Sequence, residues 1–259
     1  MSDAVELVYD SLGEGPPLVI LHGLFGWARN WQNVARQLAS RYQVITVDAR
    51  NHGRSPHTEA MDYTRMSADL AALLARLDLR DVTLLGHSMG GKTAMTLALS
   101  DPARLARVVV VDISPVPSED QHTPMIDAML ALPPASLRRR SEVDTLLRAA
   151  VPEDDVRLFL LQSLLPAEHG GSWRFNLAAL KSGMPDLIGP LPVPAAARFV
   201  RPFRVIRGEN SSRVNAEALA LIQHHFPAAS LHTVANAGHW PHAEAPADFM
   251  RALNDCLLL

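Results

Sequence analysis

Short runs rich in apolar and β-branched residues recur along the chain at Leu18–Leu21, Val44–Val47, Val82–Leu85, Val108–Val111, Phe203–Ile206 and Leu231–Val234. Runs of this length and composition predict buried strands. Between them, apolar residues spaced three or four apart predict helices near Trp31–Ala39, Thr64–Leu77, Met89–Leu99, Asn215–Phe226 and Ala247–Leu258. Strands alternating with helices imply right-handed parallel crossovers, so the fold class is α/β: a mostly parallel central sheet flanked by helices on both faces. Val5–Tyr9 alternates in polarity and is expected to be an antiparallel edge strand.

The alternation fails between Pro115 and Pro202, a stretch that holds 12 of the chain's 19 prolines and is otherwise rich in Leu, Ala, Arg and Glu. Proline fixes φ and interrupts helices, so several short helices joined by sharp turns are expected, near Met125–Leu132, Val143–Ala150 and Val156–Leu165. The pattern divides the chain into a first sheet-forming part (1–114), a helical insertion or cap (115–202) and a second sheet-forming part (203–259). The alternative is that the helical block is ordinary crossover structure. The run Arg138-Arg139-Arg140 reads as a solvated helix end.

Composition narrows the function classes. With 259 residues, 48% hydrophobic and 20% charged, the chain can bury a large core and is neither disordered nor a disulfide scaffold. A net charge of −3 gives no electrostatic reason to expect nucleic acid or an anionic membrane as partner. The single cysteine, Cys256, cannot form an internal disulfide, and the stretch from Met1 to Glu6 has no signal-peptide character. The purest apolar runs are too short to span a bilayer. A cytoplasmic protein acting on a small molecule is expected, and the sequence leaves its oligomeric state open.

Chemistry concentrates first at Gly86-His87-Ser88-Met89-Gly90, a G-x-S-x-G pattern between the strand Val82–Leu85 and a helical run. A sharp strand-to-helix turn lifts the Ser88 hydroxyl clear of the sheet, and the Met89 N–H at the helix start has no internal partner, so it can stabilise an oxyanion. A serine needs a base to take its proton. His239, in Gly238-His239-Trp240-Pro241-His242 after the last strand, is the leading candidate. His22 and His87 instead flank glycine turns and are expected to bond the backbone, and Pro241 argues against His239 and His242 aligning as a metal pair. For the carboxylate that holds the imidazole, Asp112 and Glu209 both follow strands and both preserve the order Ser, acid, His. His22-Gly23-Leu24-Phe25-Gly26 follows the first central strand, where its glycines allow close approach to the nucleophile and the Leu24 N–H can be a second oxyanion donor.

With these pieces in place, the sequence resembles the α/β-hydrolase superfamily and, within it, the small YbfF-type acyl esterases and their eukaryotic abhydrolase relatives. The matching segments are His22–Gly26, Asp48–Ser55, Gly86–Lys92, Asp112–Pro115, Trp173–Asn176 and Gly238–Glu244, which together span nearly the whole chain. The resemblance implies Ser88 as nucleophile, His239 as base and Leu24 with Met89 as oxyanion hole. The superfamily commonly places its acid where this chain has Ser211, and that departure favours Asp112 over Glu209.

Relatives that attack through an aspartate at the elbow are excluded by Ser88. The expected activity is hydrolysis of carboxylic esters or thioesters of short acyl chains through an acyl-enzyme, with no cofactor and no metal. A C–C bond or lactone hydrolase with the same triad, and a slow-turnover ligand receptor, are the alternatives. Phe25, Trp240, Leu160 and Leu164 are expected as substrate-pocket walls. Arg50, Arg54 and Lys92 lie near the expected rim, where a cation can attract a carboxylate or phosphate.

Overall fold

The structure is a computed structural model that describes residues 4–165 and 171–258. Met1–Asp3, where no leader is expected, and residues 166–170 of the expected cap lie outside the described residues.

Seven strands form one sheet in the order β1-β3-β2-β4-β5-β6-β7. They are β1 (Tyr9–Leu12), β2 (Pro17–Leu21), β3 (Gln43–Val47), β4 (Val82–His87), β5 (Leu105–Val111), β6 (Phe203–Gly208) and β7 (Ala229–Val234). Only β1 is antiparallel, paired with β3 from Tyr9 opposite Val47 to Leu12 opposite Val44. The sheet buries both faces, and the period of two along each strand sorts its side chains accordingly. Val19, Leu21, Val108 and Val110 face α2 (Tyr63–Arg76) and α3 (Met89–Ser100), together with Ile222 of α8 (Ala216–His225). Leu18, Ile20, Val109 and Val111 face α1 (Gln32–Leu38) and α10 (Pro246–Leu258) through Val34, Leu38, Phe249 and Leu253.

Between β5 and β6 the described residues hold α4 (Thr123–Leu130), α5 (Arg140–Leu147), α6 (Asp154–Gln162) and α7 (Leu177–Ile188), with one isolated bridge pairing Leu164 with Trp173. These helices have an apolar cluster of their own, which includes Ile126, Val143, Leu147, Leu160 and Leu180 and reaches the sheet domain through Phe25, Tyr63, Met66 and Met89. A short helix, α9 (Pro241–Glu244), follows β7.

Two expectations are corrected. The edge strand lies at Tyr9–Leu12 rather than Val5–Tyr9, because side chains occupy the preceding backbone: the Val5 and Val8 amides donate to Asp69 Oδ1 (2.7 Å) and Ser55 Oγ (2.8 Å). Proline does not break α7, which contains Pro185. Asn176 caps its first turn, accepting from the Ala179 amide at 3.3 Å, and buried Leu180, Met184 and Leu187 anchor the helix by packing, which offsets the one backbone hydrogen bond lost at Pro185. No helix among the described residues is long and apolar enough to cross a membrane.

Candidate active site

Ser88 stands at the turn between β4 and α3 with φ 52° and ψ −118°, a conformation seldom adopted by residues other than glycine. The turn is so tight that a Cβ on Gly86 would lie 2.2 Å from the Gly90 carbonyl oxygen, which is why the motif needs glycine there. The neighbouring turn after β2 approaches just as closely, since a Cβ on Gly23 would fall 2.8 Å from His87 Nδ1 and 3.3 Å from Ser88 Cβ. That approach brings Leu24 and Met89 to the cavity containing Ser88. Neither amide has a protein acceptor among the described residues, whereas the adjacent Phe25 amide is occupied by His52 Nε2 at 3.2 Å.

His239 follows β7, and its Nε2 lies 3.1 Å from Ser88 Oγ while its Nδ1 lies 2.7 Å from Asp112 Oδ2. A carboxylate only accepts, so Nδ1 carries the proton and Nε2 is left to accept from the serine hydroxyl. Asp112, at the end of β5 with φ 48°, is fully buried. Its Oδ1 accepts from the Gly208 amide at 3.1 Å, and Oδ2 also accepts from the Ser211 hydroxyl at 2.6 Å. Burial raises the Asp112 carboxyl above the ordinary carboxylate value, against the pull of the Ser211 and Gly208 hydrogen bonds. Burial pushes the His239 imidazole well below its ordinary value, and the Arg213 charge acts in the same direction. The imidazole is therefore neutral at pH 7 and able to accept a proton.

The loop carrying His239 is braced from both sides. His87 Nε2 donates to the His239 carbonyl at 2.8 Å, and the Glu244 carboxylate accepts from the amides of Gly238 and Trp240. His22 Nδ1 lies 2.7 Å from the Gly23 carbonyl, and its Nε2 accepts from the Ala49 amide at 3.1 Å, so this histidine shapes the turn as expected.

Other sequence expectations are not brought to the site. Glu209 is exposed and accepts from the Asn236 amide at 2.9 Å, which leaves Asp112 as the carboxylate beside His239. Arg50 is closed in a buried bidentate pair with Asp69 (2.6 and 2.7 Å), and Arg54 bonds Asp48 and Asp10. The cavity at Ser88 is open to solvent and is walled by Leu24, Tyr63 and Ile113 and, from the helical segment between β5 and β6, by His122, Met184 and Leu187. Met89 also lines it, but the expected walls Phe25, Trp240, Leu160 and Leu164 do not. Leu160 and Leu164 are buried within the apolar cluster of the helices between β5 and β6, Phe25 packs on Phe175 (ring centroids 5.2 Å), and Trp240 lies between His239 and Phe159. Periodicity marks a residue as buried but does not tell the inside of the cap from its underside. Arg213 and Lys92 also line the cavity. Sequence reasoning missed Arg213 altogether, and it met Ser211 only as the position where the usual acid is missing.

The alpha/beta hydrolase fold family model matches residues 16–246. The chain belongs to that family. It is 39% identical over 260 residues to the sn-1-specific diacylglycerol lipase ABHD11 of Xenopus tropicalis, a match covering 95% of this chain and 79% of the relative. It is 35% identical over 238 residues to Esterase YbfF of Escherichia coli, covering 92% and 91%. Among solved structures, a marine microorganism esterase superposes with a TM-score of 0.92 at 32% identity, covering 97% of this chain and 99% of that one. These relatives support ester hydrolysis by an alpha/beta hydrolase as the class of activity.

Proposed function

We propose that the protein is a serine hydrolase that cleaves carboxylic esters, and by the same chemistry thioesters, of small acyl groups. The observation that carries this reading is the continuous relay from Ser88 Oγ through His239 to Asp112 Oδ2, set beside two amides that have no acceptor among the described residues. Ser88 Oγ attacks the carbonyl carbon as its proton passes to His239 Nε2, and the Leu24 and Met89 amides hold the resulting oxyanion. Collapse breaks the bond to the alcohol or thiol, which leaves with the proton from Nε2. Water, deprotonated by His239, then attacks the acyl-enzyme and returns Ser88 with release of the acid. Asp112 keeps the proton on Nδ1 and stabilises the imidazolium throughout. On this reading residues 115–202 are a cap whose inner surface, through Met184, Leu187 and Ile188, shapes the acyl site.

A fluorophosphonate probe tests the assignment because it needs an activated serine beside an oxyanion hole. It is expected to modify Ser88, as read by peptide mass spectrometry, and the Ser88→Ala protein should lose both labelling and ester hydrolysis while keeping its circular dichroism spectrum. Modification of a different serine would overturn the site.

A further inference from the structure

The cavity beside Ser88 holds two cations that the serine chemistry does not use. Lys92 lies four residues beyond Ser88 on α3 and so points from the same face of the elbow. The residue is only 1% exposed, and Nζ crosses to the end of α7, where it donates to the Gly189 carbonyl at 2.9 Å. It also stands 5.9 Å from the Tyr63 ring centroid. An ammonium has three donors, and among the described residues no carboxylate pairs with this one and no second oxygen accepts from it. Arg213, half-buried in the loop after β6, lines the same cavity, and its guanidinium has no hydrogen bond or ion pair among the described residues.

Among the described residues no aspartate or glutamate lines the cavity. The carboxylate nearest in the site, Asp112, is buried and already accepts from Gly208, Ser211 and His239. Elsewhere the fold closes its buried cations: Arg50 pairs with Asp69, and Arg157 with Asp144. The Asp112 charge favours the Arg213 guanidinium without closing on it as an ion pair, so two positive groups facing one cavity, Lys92 buried and Arg213 half-buried, mark a site for an anion brought by the substrate.

We infer that the substrate carries a carboxylate of its own, held in this cavity between Lys92 and Arg213 while the scissile carbonyl lies against Ser88. The inference rests on the serine-ester reading above and narrows its substrate class to half-esters of dicarboxylic acids or acyl esters of hydroxy acids.

Two measurements test it. In the first, the wild-type protein is titrated calorimetrically with succinate, glutarate and adipate, with the corresponding diamides as neutral controls. At least one dianion is expected to bind more tightly than its diamide, and Lys92→Met and Arg213→Gln should each weaken that binding by about tenfold or more, the scale of a lost charge-assisted hydrogen bond. In the second, kcat/KM is compared for p-nitrophenyl half-esters against their neutral methyl diesters, and for 4-acetoxybutanoate against its methyl ester. The first pair puts the carboxylate on the acyl side and the second on the alcohol side. The anionic compound is expected to win in one pair, which tells the side, and its advantage should shrink in both variants.

The advantage should also fall as pH rises through about 8, the value to which burial and the Arg213 charge push the Lys92 ammonium. Below that pH the ammonium is charged and attracts the carboxylate; above it the charge is lost. The other groups facing Lys92 do not titrate there. His122, pushed down to about 4, and His239 are neutral, Tyr63 is pushed up by burial and stays protonated, and Arg213 stays charged. Dianions that bind no better than diamides, or neutral esters preferred in both pairs with Ser88 labelling intact, would overturn the inference and leave the serine-ester reading standing. Dianion binding that depends on Lys92 and Arg213, in a protein that turns over no ester, would support the anion site and remove the serine-ester reading.

Discussion

Asp112 occupies both of its oxygens with protein donors, and the His239 Nδ1–H is only one of three. Replacing it by asparagine presents an NH2 group where an acceptor is needed, which favours the wrong imidazole tautomer and removes the charge opposite the imidazolium. Asp112→Asn is therefore expected to lower kcat by about 10⁴, the scale known for neutralising a triad acid. Glu209→Gln should leave kcat within about twofold, because its carboxylate contacts only the Asn236 amide on the exposed side of the loop. Steady-state kinetics on a soluble p-nitrophenyl ester decide between them, and the reverse pattern would transfer the acid role to Glu209. At this scale motif and context alone point to Ser88 and His239, whose side chains the fold brings within 3.1 Å of each other. The choice of acid was not legible from the residues alone, since both carboxylates follow strands and both keep the same chain order.

The elbow shows what an element contributes beyond its residues. β4 pairs with β2 on one side and β5 on the other, and this fixes where the strand ends. Helix α3 starts at once, so the chain reverses with Gly86 against the Gly90 carbonyl. Gly86→Ala inserts a methyl group 2.2 Å from backbone that has no flexible end to move aside. Urea unfolding is expected to show a loss at or above the upper end of the ~1–3 kcal/mol typical of overpacked sites. Labelling of Ser88 should fall with it, because the shift acts on the turn that aims the hydroxyl. An unchanged urea midpoint would show that the turn is looser than this geometry.

For the whole molecule, the apolar cluster of the helices between β5 and β6 is distinct from the two that sandwich the sheet, yet it joins them at Met89 and Tyr63, beside Ser88. Residues on the underside of these helices therefore face the cavity at Ser88, while those within the cluster hold them together. Met184→Trp, at the cavity wall, is expected to reduce kcat/KM for longer acyl esters more than for acetate, at about 1–3 kcal/mol for each methylene excluded. Leu160→Trp should instead lower thermal stability with little change in chain-length preference, because Leu160 is 0% exposed inside the cap. Equal losses on all chain lengths for Met184→Trp would make the cap a cover rather than a selector.

The sequence by itself determined the periodic features. Six parallel strands, the helices between them, the departure from alternation after Pro115 and the elbow all follow from local spacing and turn chemistry, which a linear chain records directly. Side-chain hydrogen bonds moved the edge strand to Tyr9–Leu12, and packing kept α7 helical through Pro185, so neither left a local signal. Only the tertiary structure set Asp112 beside His239 and Glu209 away from it, put Leu160 and Leu164 inside the helical layer, and closed Arg50 on Asp69 while leaving Lys92 and Arg213 at the cavity. Each of these depends on which groups from distant parts of the chain meet. That is decided by how the sheet's strand order and the cap's packing bring them together.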